Sequence, residues 1–401
     1  MNSPQHDVIV IGAGPTGMFL ASELHRRGVD TAVLEARADA TPGTRAIGIH
    51  PPTLAALEPS GATERLLAGA MRIPRGQART ADRLLGKVRF DLLPLRFAFV
   101  AAAPQSVTEA AVAHGGPPPR RGVRVVEVHD HGDHVEVVTD GGSVLTAHTA
   151  VVAAGRAGRA LVPAADIVTR SYPDRYLMAD IAGPTDEPDS VATVRLDASG
   201  VLESFPLPEG GRRLVAWVRS RGDADLAATA VERLREAVRV RGASTQLAEA
   251  IDAASSFGIH RALARRMRVG RILLIGDTAH EVSPIGGQGL NLGLLDAAAL
   301  APLLAAWAQG RSVDDGLARW ERDRLASART AARIAGVNTA FGRARARAAH
   351  GLITGMLQLA LAGPSAALLT RAYAMGFDRA AGITPSRSRS RAQRPAAAPR
   401  S

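Results

Sequence analysis

The chain has 401 residues, of which 46% are hydrophobic, enough to bury the core of one large or two modest domains. It contains no cysteine, which excludes disulfide bonds, thiolate catalysis and cysteine-ligated metals or clusters. Its net charge of +11 would suit a nucleic-acid-binding protein, but Lys87 is the only lysine among 49 basic residues. Because this arginine bias is typical of a GC-rich genome, we predict no nucleic-acid partner.

The N-terminal part of the chain has the pattern of a βαβ unit. His6–Gly12 is a short β-branched run that ends in glycine, which predicts a buried parallel strand. Pro15–Arg27 is predicted as a helix and Thr31–Glu35 as a second strand. No basic segment precedes the first apolar run, so we predict no signal peptide and a cytoplasmic protein.

Three glycines between this strand and this helix form a G-x-G-x-x-G fingerprint. Gly12 permits a tight turn, Gly14 lets the backbone approach a pyrophosphate, and Gly17 allows the helix to pack closely on the strand. The N-terminus of the helix offers free N–H groups to phosphates. Glu35 ends the second strand, where a carboxylate can bind a ribose. The spacing predicts a dinucleotide site but does not distinguish NAD from FAD.

The central part of the chain has the pattern of antiparallel sheet. Val123–Gly155 alternates strands with turns, which predicts a β-meander. Val191–Pro206, with a turn at Ser199-Gly200, and Arg213–Arg219 predict a separate antiparallel sheet. The predicted fold class is therefore α/β, with a Rossmann-like domain that includes a β-meander, a second domain built on antiparallel sheet, and C-terminal helices.

Helical patterns dominate the rest of the chain. Leu226–Val240 has helical spacing, and residues 296 to about 376 are nearly all helical in composition. Gly351–Thr370 is uncharged and long enough to span a membrane, but it contains three glycines and a proline. We predict a buried helix pair broken at Gly363-Pro364, with no integral membrane insertion, and leave peripheral membrane contact open.

A second glycine-rich segment, Gly270–Ala297, favours FAD over NAD. A buried strand at Ile272–Ile275 leads to Asp277, which would lie close to the ribityl chain of a flavin. Pro284–Gly289 has the small side chains that backbone contact with a planar ring requires. The helix that starts near Asn291 directs its N-terminal dipole at the same place. Two such loops in one chain predict a large dinucleotide held along its whole length.

Several of these motifs together resemble those of the single-component FAD-dependent aromatic hydroxylases, the p-hydroxybenzoate hydroxylase-like superfamily. They are Gly12–Gly17, Glu35, Gly276-Asp277 and Pro284–Asn291. Gly43–Ala46 resembles the arginine-bearing loop that contacts the flavin and lines the substrate side in that superfamily, and Gln105 resembles a residue that also touches the flavin. The resemblance covers most of residues 5–345.

The resemblance implies two domains with the flavin ring between them. The implied division is an FAD-binding domain of residues 1–75, 100–165 and 265–345, a substrate domain of residues 76–99 and 166–264, and C-terminal helices at 346–380. The arginine-rich end, residues 381–401, is predicted to be a disordered basic tail.

The resemblance also implies a reaction and the residues for it. NAD(P)H would reduce FAD, O2 would form a hydroperoxide on the ring, and an aromatic or polyketide-like small molecule would be hydroxylated. Arg45 and Pro284 are the candidate catalytic residues. The candidate cofactor-binding residues are Gly12, Gly14, Pro15, Thr16, Gly17, Glu35, Arg37, Arg45, Gln105, Gly276, Asp277, Pro284, Gly286, Gly287, Gly289, Leu290 and Asn291.

One stretch departs from the superfamily. Its usual D-G-x-x-S-x-x-R pattern, which serves both FAD and NADPH contact, is replaced by Gly155–Arg159, without the aspartate or serine. The two arginines of this stretch could instead meet phosphates. NAD(P)H is therefore less well supported than FAD, and an FAD-dependent dehydrogenase or reductase of the same fold stays open. A non-enzymatic binding protein is the third alternative.

Histidines lie near the second glycine segment and in the meander. His280 and His260 could move protons near a flavin, but hydrogen-bonded structural histidines are the favoured interpretation. His129, His131 and His134 superficially resemble a metal cluster. Because they fall in an exposed hairpin, we predict no metal site.

Overall fold

The computed structural model describes residues 4–39, 47–219, 223–363 and 365–378. In this part of the chain the strands are β1 (His6–Ile11), β2 (Thr31–Glu35), β3 (Gly48–Ile49), β4 (Met71–Ile73), β5 (Arg75–Arg79), β6 (Leu84–Arg89), β7 (Val100–Ala102), β8 (Arg120–Arg121), β9 (Val125–Asp130), β10 (Val135–Thr139), β11 (Val144–Val152), β12 (Ile167–Ile181), β13 (Val191–Asp197), β14 (Gly200–Pro206), β15 (Arg212–Val218), β16 (Ser255–Ala264), β17 (Arg268–Val269), β18 (Ile272–Leu274) and β19 (His280–Glu281). The helices are α1 (Pro15–His25), α2 (Pro51–Leu57), α3 (Ala62–Leu67), α4 (Gln105–Ala113), α5 (Asp223–Ala228), α6 (Ala230–Val240), α7 (Thr245–Glu249), α8 (Gly289–Ala308), α9 (Asp314–Phe341), α10 (Arg347–Ala362) and α11 (Ser365–Tyr373).

The first sheet has a parallel centre. Its strand order is β17-β18-β11-β1-β2-β8, and β10 and β9 extend it from β11 as a meander. β1 is parallel to β2, β11 is parallel to β1 and β18, and α1 packs against α8. Val8–Ile11 is buried, as expected of a strand in the middle of a parallel sheet. The predicted α/β fold with a Rossmann-like unit and a β-meander is confirmed.

The second sheet is mostly antiparallel. Its order is β19-β16-β12-β15-β14-β13-β5-β6. β5 pairs with β13, so β5 and β6 extend the sheet beyond β13. The predicted hairpin of β13 and β14 is present, with its turn before Gly200. Gly200 has a φ of +125°, and a Cβ there would lie 2.7 Å from the ring of Trp217. Only glycine fits this turn without strain.

The two faces of the second sheet have different neighbours. Leu202 and Leu214 point to one face and pack with Leu234 of α6 in a closed hydrophobic cluster. Glu203 and Val215, which are paired across β14 and β15, point to the other face and line a large cavity. The alternation of a strand therefore places a carboxylate on the cavity side.

Two predicted helices differ from the observed ones. The helix predicted at Pro15–Arg27 ends at His25, because Arg26 is already its C-cap. The helix predicted at Leu226–Val240 is two helices, α5 and α6, separated at Thr229. Thr229 has a φ of −111° and a ψ of 13°, which interrupts the helical hydrogen-bond ladder.

The C-terminal helix pair is present, but the prediction that it is buried is wrong. α10 and α11 meet at 96° at the predicted break. Leu352, Met356 and Leu359 of α10 are between 63% and 77% exposed, and so is Leu368 of α11. Their spacing along α10 places three of them on one face of the helix. The predicted tail at residues 381–401 lies outside the described residues.

α8 is the helix whose composition most resembles a membrane span. Among the described residues it is the single helix that is long and apolar enough to cross a membrane, and α10 with α11 passes the same test as a bent pair. In α8, 61% of the apolar window is buried inside the structure. Its packing against α1, α2 and α9 accounts for its apolar composition.

Candidate active site

A cavity of about 1420 Å³ lies between the two sheets. This volume exceeds the range of roughly 300–1,000 Å³ that is usual for the site of one small ligand. Its walls include the loop after β1, the end of β2, the loop after β18 and the open face of the second sheet. The cavity therefore has room for a dinucleotide and a second molecule side by side.

The glycine fingerprint forms one end of the cavity, with each glycine in a different role. Gly12 has a φ of +111°, and a Cβ there would lie 2.6 Å from the carbonyl oxygen of Ala153. A Cβ on Gly17 would overlap the carbonyl oxygen of Gly12, so α1 can approach β1 only with glycine at that position. Gly14 lines the cavity, and a Cβ there would meet no atom within 4 Å. The space beside Gly14 fits a pyrophosphate at the N-terminus of α1.

Glu35 lies at the end of β2 and is held in place from two sides. Its Oε2 accepts a hydrogen bond from the Ala13 N–H at 2.9 Å, and its Oε1 accepts from the Arg37 backbone and Nε at 3.0 Å. Burial alone would raise the pKa of Glu35, but these hydrogen bonds outweigh it and lower the pKa below its usual range. Glu35 is therefore an ionised acceptor on the cavity wall.

The two glycine-rich segments meet at Thr16 on α1. Gly276 has a φ of +61°, and a Cβ there would lie 3.2 Å from Thr16 Oγ1. A Cβ on Gly293 of α8 would overlap the same hydroxyl and lie 3.1 Å from the Gly276 Cα. These close approaches place Asp277, exposed into the cavity, beside the N-terminus of α1. Segments 260 residues apart therefore form one continuous wall.

A buried ionic network fixes the Gly276 turn from behind. Asp296 Oδ2 accepts a hydrogen bond from the Gly276 N–H at 3.0 Å and lies 2.6 Å from His280 Nε2. Arg324 donates its Nε to Asp296 Oδ1 at 2.7 Å and its Nη1 to both oxygens of Asp378. The interpretation of His280 as a hydrogen-bonded structural residue agrees with this geometry. His260 lies on the cavity wall, with Nδ1 3.2 Å from Ser171 Oγ.

The stretch that departs from the superfamily pattern also supports this turn. Arg159 donates its Nη2 to the Asp277 carbonyl at 2.8 Å and to Glu281 at 2.7 Å. Arg156 donates to the other oxygen of Glu281 at 2.8 Å. Burial would raise the pKa of Glu281, but the two arginines outweigh it and lower the pKa. Both guanidinium groups thus pair with Glu281, where the sequence had suggested phosphates.

The Pro284–Gly289 loop lies on the cavity wall between the sheets. Gly286 and Gly287 have φ values of +100° and +66°, a conformation that favours glycine. Gly287 is exposed and Gly286 is half-buried. Asn291 holds the loop by donating its Nδ2 to the Gly287 and Gly48 carbonyls, both at 2.9 Å. The loop is therefore a rigid backbone surface suited to a flat ring.

Most of the predicted cofactor-binding residues line this one cavity. Those that do are Gly12, Gly14, Pro15, Thr16, Glu35, Arg37, Gln105, Gly276, Asp277, Pro284, Gly286, Gly287, Gly289 and Leu290. Gly17 and Asn291 lie behind it and act through packing and hydrogen bonds. Arg45 and the rest of Gly43–Ala46 lie outside the described residues. Gln105 donates its Nε2 to Glu109 Oε1 at 2.8 Å.

Four cavity residues were not identified from the sequence: His50, Glu203, Asn338 and Tyr373. Tyr373 donates its hydroxyl to Asn338 Oδ1 at 2.9 Å, and a Cβ on Gly286 would lie 3.3 Å from Asn338 Nδ2. Burial lowers the pKa of His50 to about 4. Burial raises the pKa of Glu203 to about 7. Only Glu203 had a signal in the sequence, which was a carboxylate within a strand that is otherwise buried.

The histidines of the meander lie at the β9–β10 hairpin. Ligand atoms of His131, His134 and Glu136 lie within 4.8 Å of one another, close enough to share a metal ion, although the sequence predicts no metal site there. His131 Nε2 lies 3.2 Å from Glu136 Oε2, and His129 lies 2.8 Å from Glu127. His131 is exposed while His134 and Glu136 are half-buried, and exposed acidic groups are common without an ion.

Comparison with known proteins agrees with this geometry. Residues 5–335 match the family described as FAD binding domain. An uncharacterized aromatic compound monooxygenase of Bacillus subtilis (strain 168) is 32% identical over 317 residues, which are 76% of this chain and 62% of the relative. The 12-dehydrotetracycline 5-monooxygenase/anhydrotetracycline 6-monooxygenase of Streptomyces rimosus subsp. rimosus is 31% identical over 351 residues, 80% of this chain and 66% of the relative. The chain spans less than two thirds of the length of these relatives.

A solved structure shares the fold over most of the chain. The p-nitrophenol 4-monooxygenase of Pseudomonas putida DLL-E4 superposes with a TM-score of 0.79 over 93% of this chain and 98% of its own, at 22% identity. The similarity of fold therefore extends across both sheets.

Proposed function

This chain belongs to the family of FAD-binding domains, its cofactor is FAD, and we propose that it is a monooxygenase that hydroxylates an aromatic or polyketide-like small molecule with O2 and NAD(P)H. The suspected resemblance to FAD-dependent aromatic hydroxylases is confirmed at the level of the family. The names of the relatives support the substrate class, since they include an aromatic compound monooxygenase and a tetracycline-type monooxygenase.

The observation that carries this proposal is the continuity of the cavity. One wall holds Gly14, Glu35 and Asp277, which suit a dinucleotide, and the opposite wall is the sheet face around Val194 and Val215. A redox cofactor acts on a substrate only when the two touch, and a single continuous cavity between the sheets allows this contact. The domain boundaries stay a prediction. We propose that this cavity lies at the interface between the FAD-binding domain and the substrate domain.

We assign the ADP half of FAD to the glycine fingerprint. Gly14 and the free N–H groups at the N-terminus of α1 would bind the pyrophosphate, with Pro15 and Thr16 at the same helix end. Glu35 would accept hydrogen bonds from the adenosine ribose, and Arg37 keeps its carboxylate oriented.

We assign the flavin half to the second glycine segment. Asp277 would bind the ribityl chain, and the Gly286–Gly287 backbone would face the ring. Pro284 would shape the reacting side of the ring, and Arg45 and Gln105 remain proposed contacts to the flavin. Bound FAD supplies the redox chemistry and the activation of O2, while the protein excludes water and orients the substrate.

The apolar sheet face is the proposed substrate wall. Met178, Val194 and Val215 present aliphatic groups to the cavity, so an aromatic or polycyclic molecule would be desolvated there. Water exclusion protects a reactive oxygen donor from solvent. The reaction therefore needs no nucleophile or paired carboxylates from the protein.

The function is tested by product analysis with isotopic oxygen. Purified, FAD-loaded protein is supplied with NADPH or NADH, 18O2 and a panel of phenolic and polycyclic substrates. We expect one 18O atom in the product by mass spectrometry and oxidation of an equal amount of reductant. Substrate oxidation without 18O would instead establish the dehydrogenase or reductase alternative. A protein that holds no FAD after reconstitution would exclude both.

Glu35→Gln tests the proposed ribose contact. The variant removes the charge that accepts from Ala13 and Arg37, and hydrogen bonds to charged groups are the stronger ones. We expect the Kd for FAD, measured by flavin fluorescence, to rise about tenfold or more. Glu127→Gln, an exposed substitution in the same sheet, should leave the Kd unchanged. An unchanged Kd in Glu35→Gln would place the ribose elsewhere.

A further inference from the structure

We propose that Glu203 binds a hydroxyl group of the substrate and accepts its proton. This inference rests on the proposed function, because it assigns the residue that recognises the substrate in the same cavity. It narrows the substrate class to molecules that carry a phenolic or enolic hydroxyl on the carbon skeleton to be oxygenated.

The position of Glu203 follows from the alternation of β14. Leu202 and Ser204 face the closed side of the sheet, while Val201, Glu203 and Phe205 face the cavity. Glu203 is paired with Val215 on β15 and with Val194 on β13, so apolar neighbours flank it on both sides. It is 7% exposed, and its exposed surface lies on the cavity wall.

Among the described residues, no hydrogen bond or ion pair reaches the Glu203 carboxylate. Arg213 is the cation on the same sheet face, and its Nε and Nη2 donate to the two oxygens of Asp180 at 2.6 Å. A carboxylate buried without a partner is strongly unfavourable. An unpartnered carboxylate on a cavity wall is explained if a bound ligand donates the missing hydrogen bond.

The cavity also places Glu203 close to the proposed flavin surface. The Glu203 charge acts on the Tyr373 hydroxyl of α11, which donates to Asn338. Asn338 in turn lies against Gly286, where a Cβ would approach its Nδ2 to 3.3 Å. A substrate held by Glu203 would therefore lie between the sheet and the Gly286–Gly287 backbone.

The other titratable groups near Glu203 do not compete for the proton. Burial, and secondarily the charge of Glu203, raise the pKa of Tyr176, whose buried hydroxyl has no hydrogen-bond partner within the described part of the chain. The same two causes, partly opposed by the Asn338 contact, raise the pKa of Tyr373 to about 12. Both phenols stay protonated at neutral pH, and the Arg213–Asp180 pair is satisfied. Burial alone raises the pKa of Glu203 to about 7, the range in which a general base is most effective.

The proposed step is a proton transfer, and it changes no oxidation state. The O–H bond of the substrate hydroxyl breaks, and a new O–H bond forms on a carboxylate oxygen of Glu203. The negative charge moves from the carboxylate to the substrate oxygen, which makes the attached ring more electron-rich. When the product leaves, the proton returns to a product hydroxyl or passes to water.

A ligand-binding comparison on the oxidised holoenzyme, with no reductant, tests this assignment. The probes are 2-naphthol and 2-methylnaphthalene, in which a methyl group replaces the hydroxyl group. Binding of each probe is followed by the change in flavin absorbance. The preference is the ratio of the Kd for 2-methylnaphthalene to the Kd for 2-naphthol. At about pH 8 we expect this ratio to be about tenfold to hundredfold higher in wild type than in Glu203→Gln, because the variant loses a charge-assisted hydrogen bond. The wild-type preference should fall toward about pH 6, as the carboxylate becomes protonated.

Two further variants complete the test. Glu232→Gln, exposed on α6 at the other face of the same sheet, should keep the wild-type preference and its pH dependence. Glu203→Met replaces the carboxylate with an apolar group of similar size, so it should lose the preference while unfolding at a higher denaturant concentration. A hydroxyl preference equal to wild type in both Glu203 variants would overturn the proposal. The binding comparison needs no turnover. Such a result would therefore leave the proposed function, which the isotopic oxygen experiment tests, unaffected.

Discussion

Gly14→Ala and Gly17→Ala are expected to fail in different ways, although they lie three residues apart. Gly14→Ala should fold with wild-type stability and lose affinity for FAD. Gly17→Ala should lose stability, and FAD affinity with it. The difference follows from what each added methyl group would meet.

At Gly14 the methyl group would point into open space in the protein. Gly14 has a φ of −72° and a ψ of 172°, which alanine adopts without strain, and no atom lies within 4 Å of the added Cβ. The same space is the proposed path of the pyrophosphate. We therefore expect the Kd for FAD to rise about tenfold or more, with an unchanged free energy of unfolding of the apoprotein. FAD binding as tight as in wild type would show that the pyrophosphate does not pass there.

At Gly17 the methyl group would overlap the protein itself. The carbonyl oxygen of Gly12 occupies the position, so α1 must move away from β1. Overpacking of this kind usually costs about 1–3 kcal/mol of stability. Chemical denaturation of the apoprotein measures it. Gly351→Ala on exposed α10, where a Cβ meets nothing within 4 Å, is the matched control and should be neutral or stabilising by up to about 1 kcal/mol.

The elements predicted correctly are those whose signal is local in sequence. The turn at Gly12–Gly17 and the hairpin turn at Ser199-Gly200 depend on glycine conformation, and the strand of residues 6–11 depends on a short β-branched run. The pairing of the two glycine segments was inferred because both motifs suit the same ligand. Their meeting at Thr16 is a tertiary contact that the residues alone do not specify.

The elements missed are those defined by tertiary neighbours. Glu203 reaches the cavity because β14 lies in the middle of a sheet with one open face, which periodicity in a short strand does not reveal. Asn338 and Tyr373 come from helices far along the chain. The exposure of Leu352 was missed because an uncharged helical stretch suggests burial whether or not a partner covers it.

Asp296→Asn is expected to cause the largest loss of stability. Asp296 is fully buried and accepts from Gly276, His280 and Arg324, so asparagine leaves the charged partners without a counter-charge. Breaking a buried ion pair by removing one partner typically costs about 3–5 kcal/mol. Urea unfolding should show a loss of this size, and FAD affinity should fall as well because the Gly276 turn loses its support. Asp252→Asn, an exposed substitution of the same kind, should change neither quantity.

The loss should depend on pH in a direction set by His280. Burial disfavours protonated His280, but the charge and hydrogen bond of Asp296 outweigh burial and raise the pKa of His280 above its usual 6.5. Stability from this pair is therefore fully present below about pH 6.5 and is lost as the pH rises through the raised pKa of the folded state. Burial likewise opposes ionisation of Asp296, but His280 and Arg324 outweigh it and lower the pKa, so stability is lost at the acidic end as the pH falls through that lowered pKa.

The difference in unfolding free energy between wild type and Asp296→Asn should accordingly be largest between about pH 4 and about pH 6.5. At higher pH the difference should shrink as His280 loses its proton, without vanishing, because Arg324 stays charged and still faces Asp296. A difference that does not shrink above neutral pH would show that His280 is neutral in the folded protein. The Asp296 network would then stabilise the Gly276 turn through Arg324 alone.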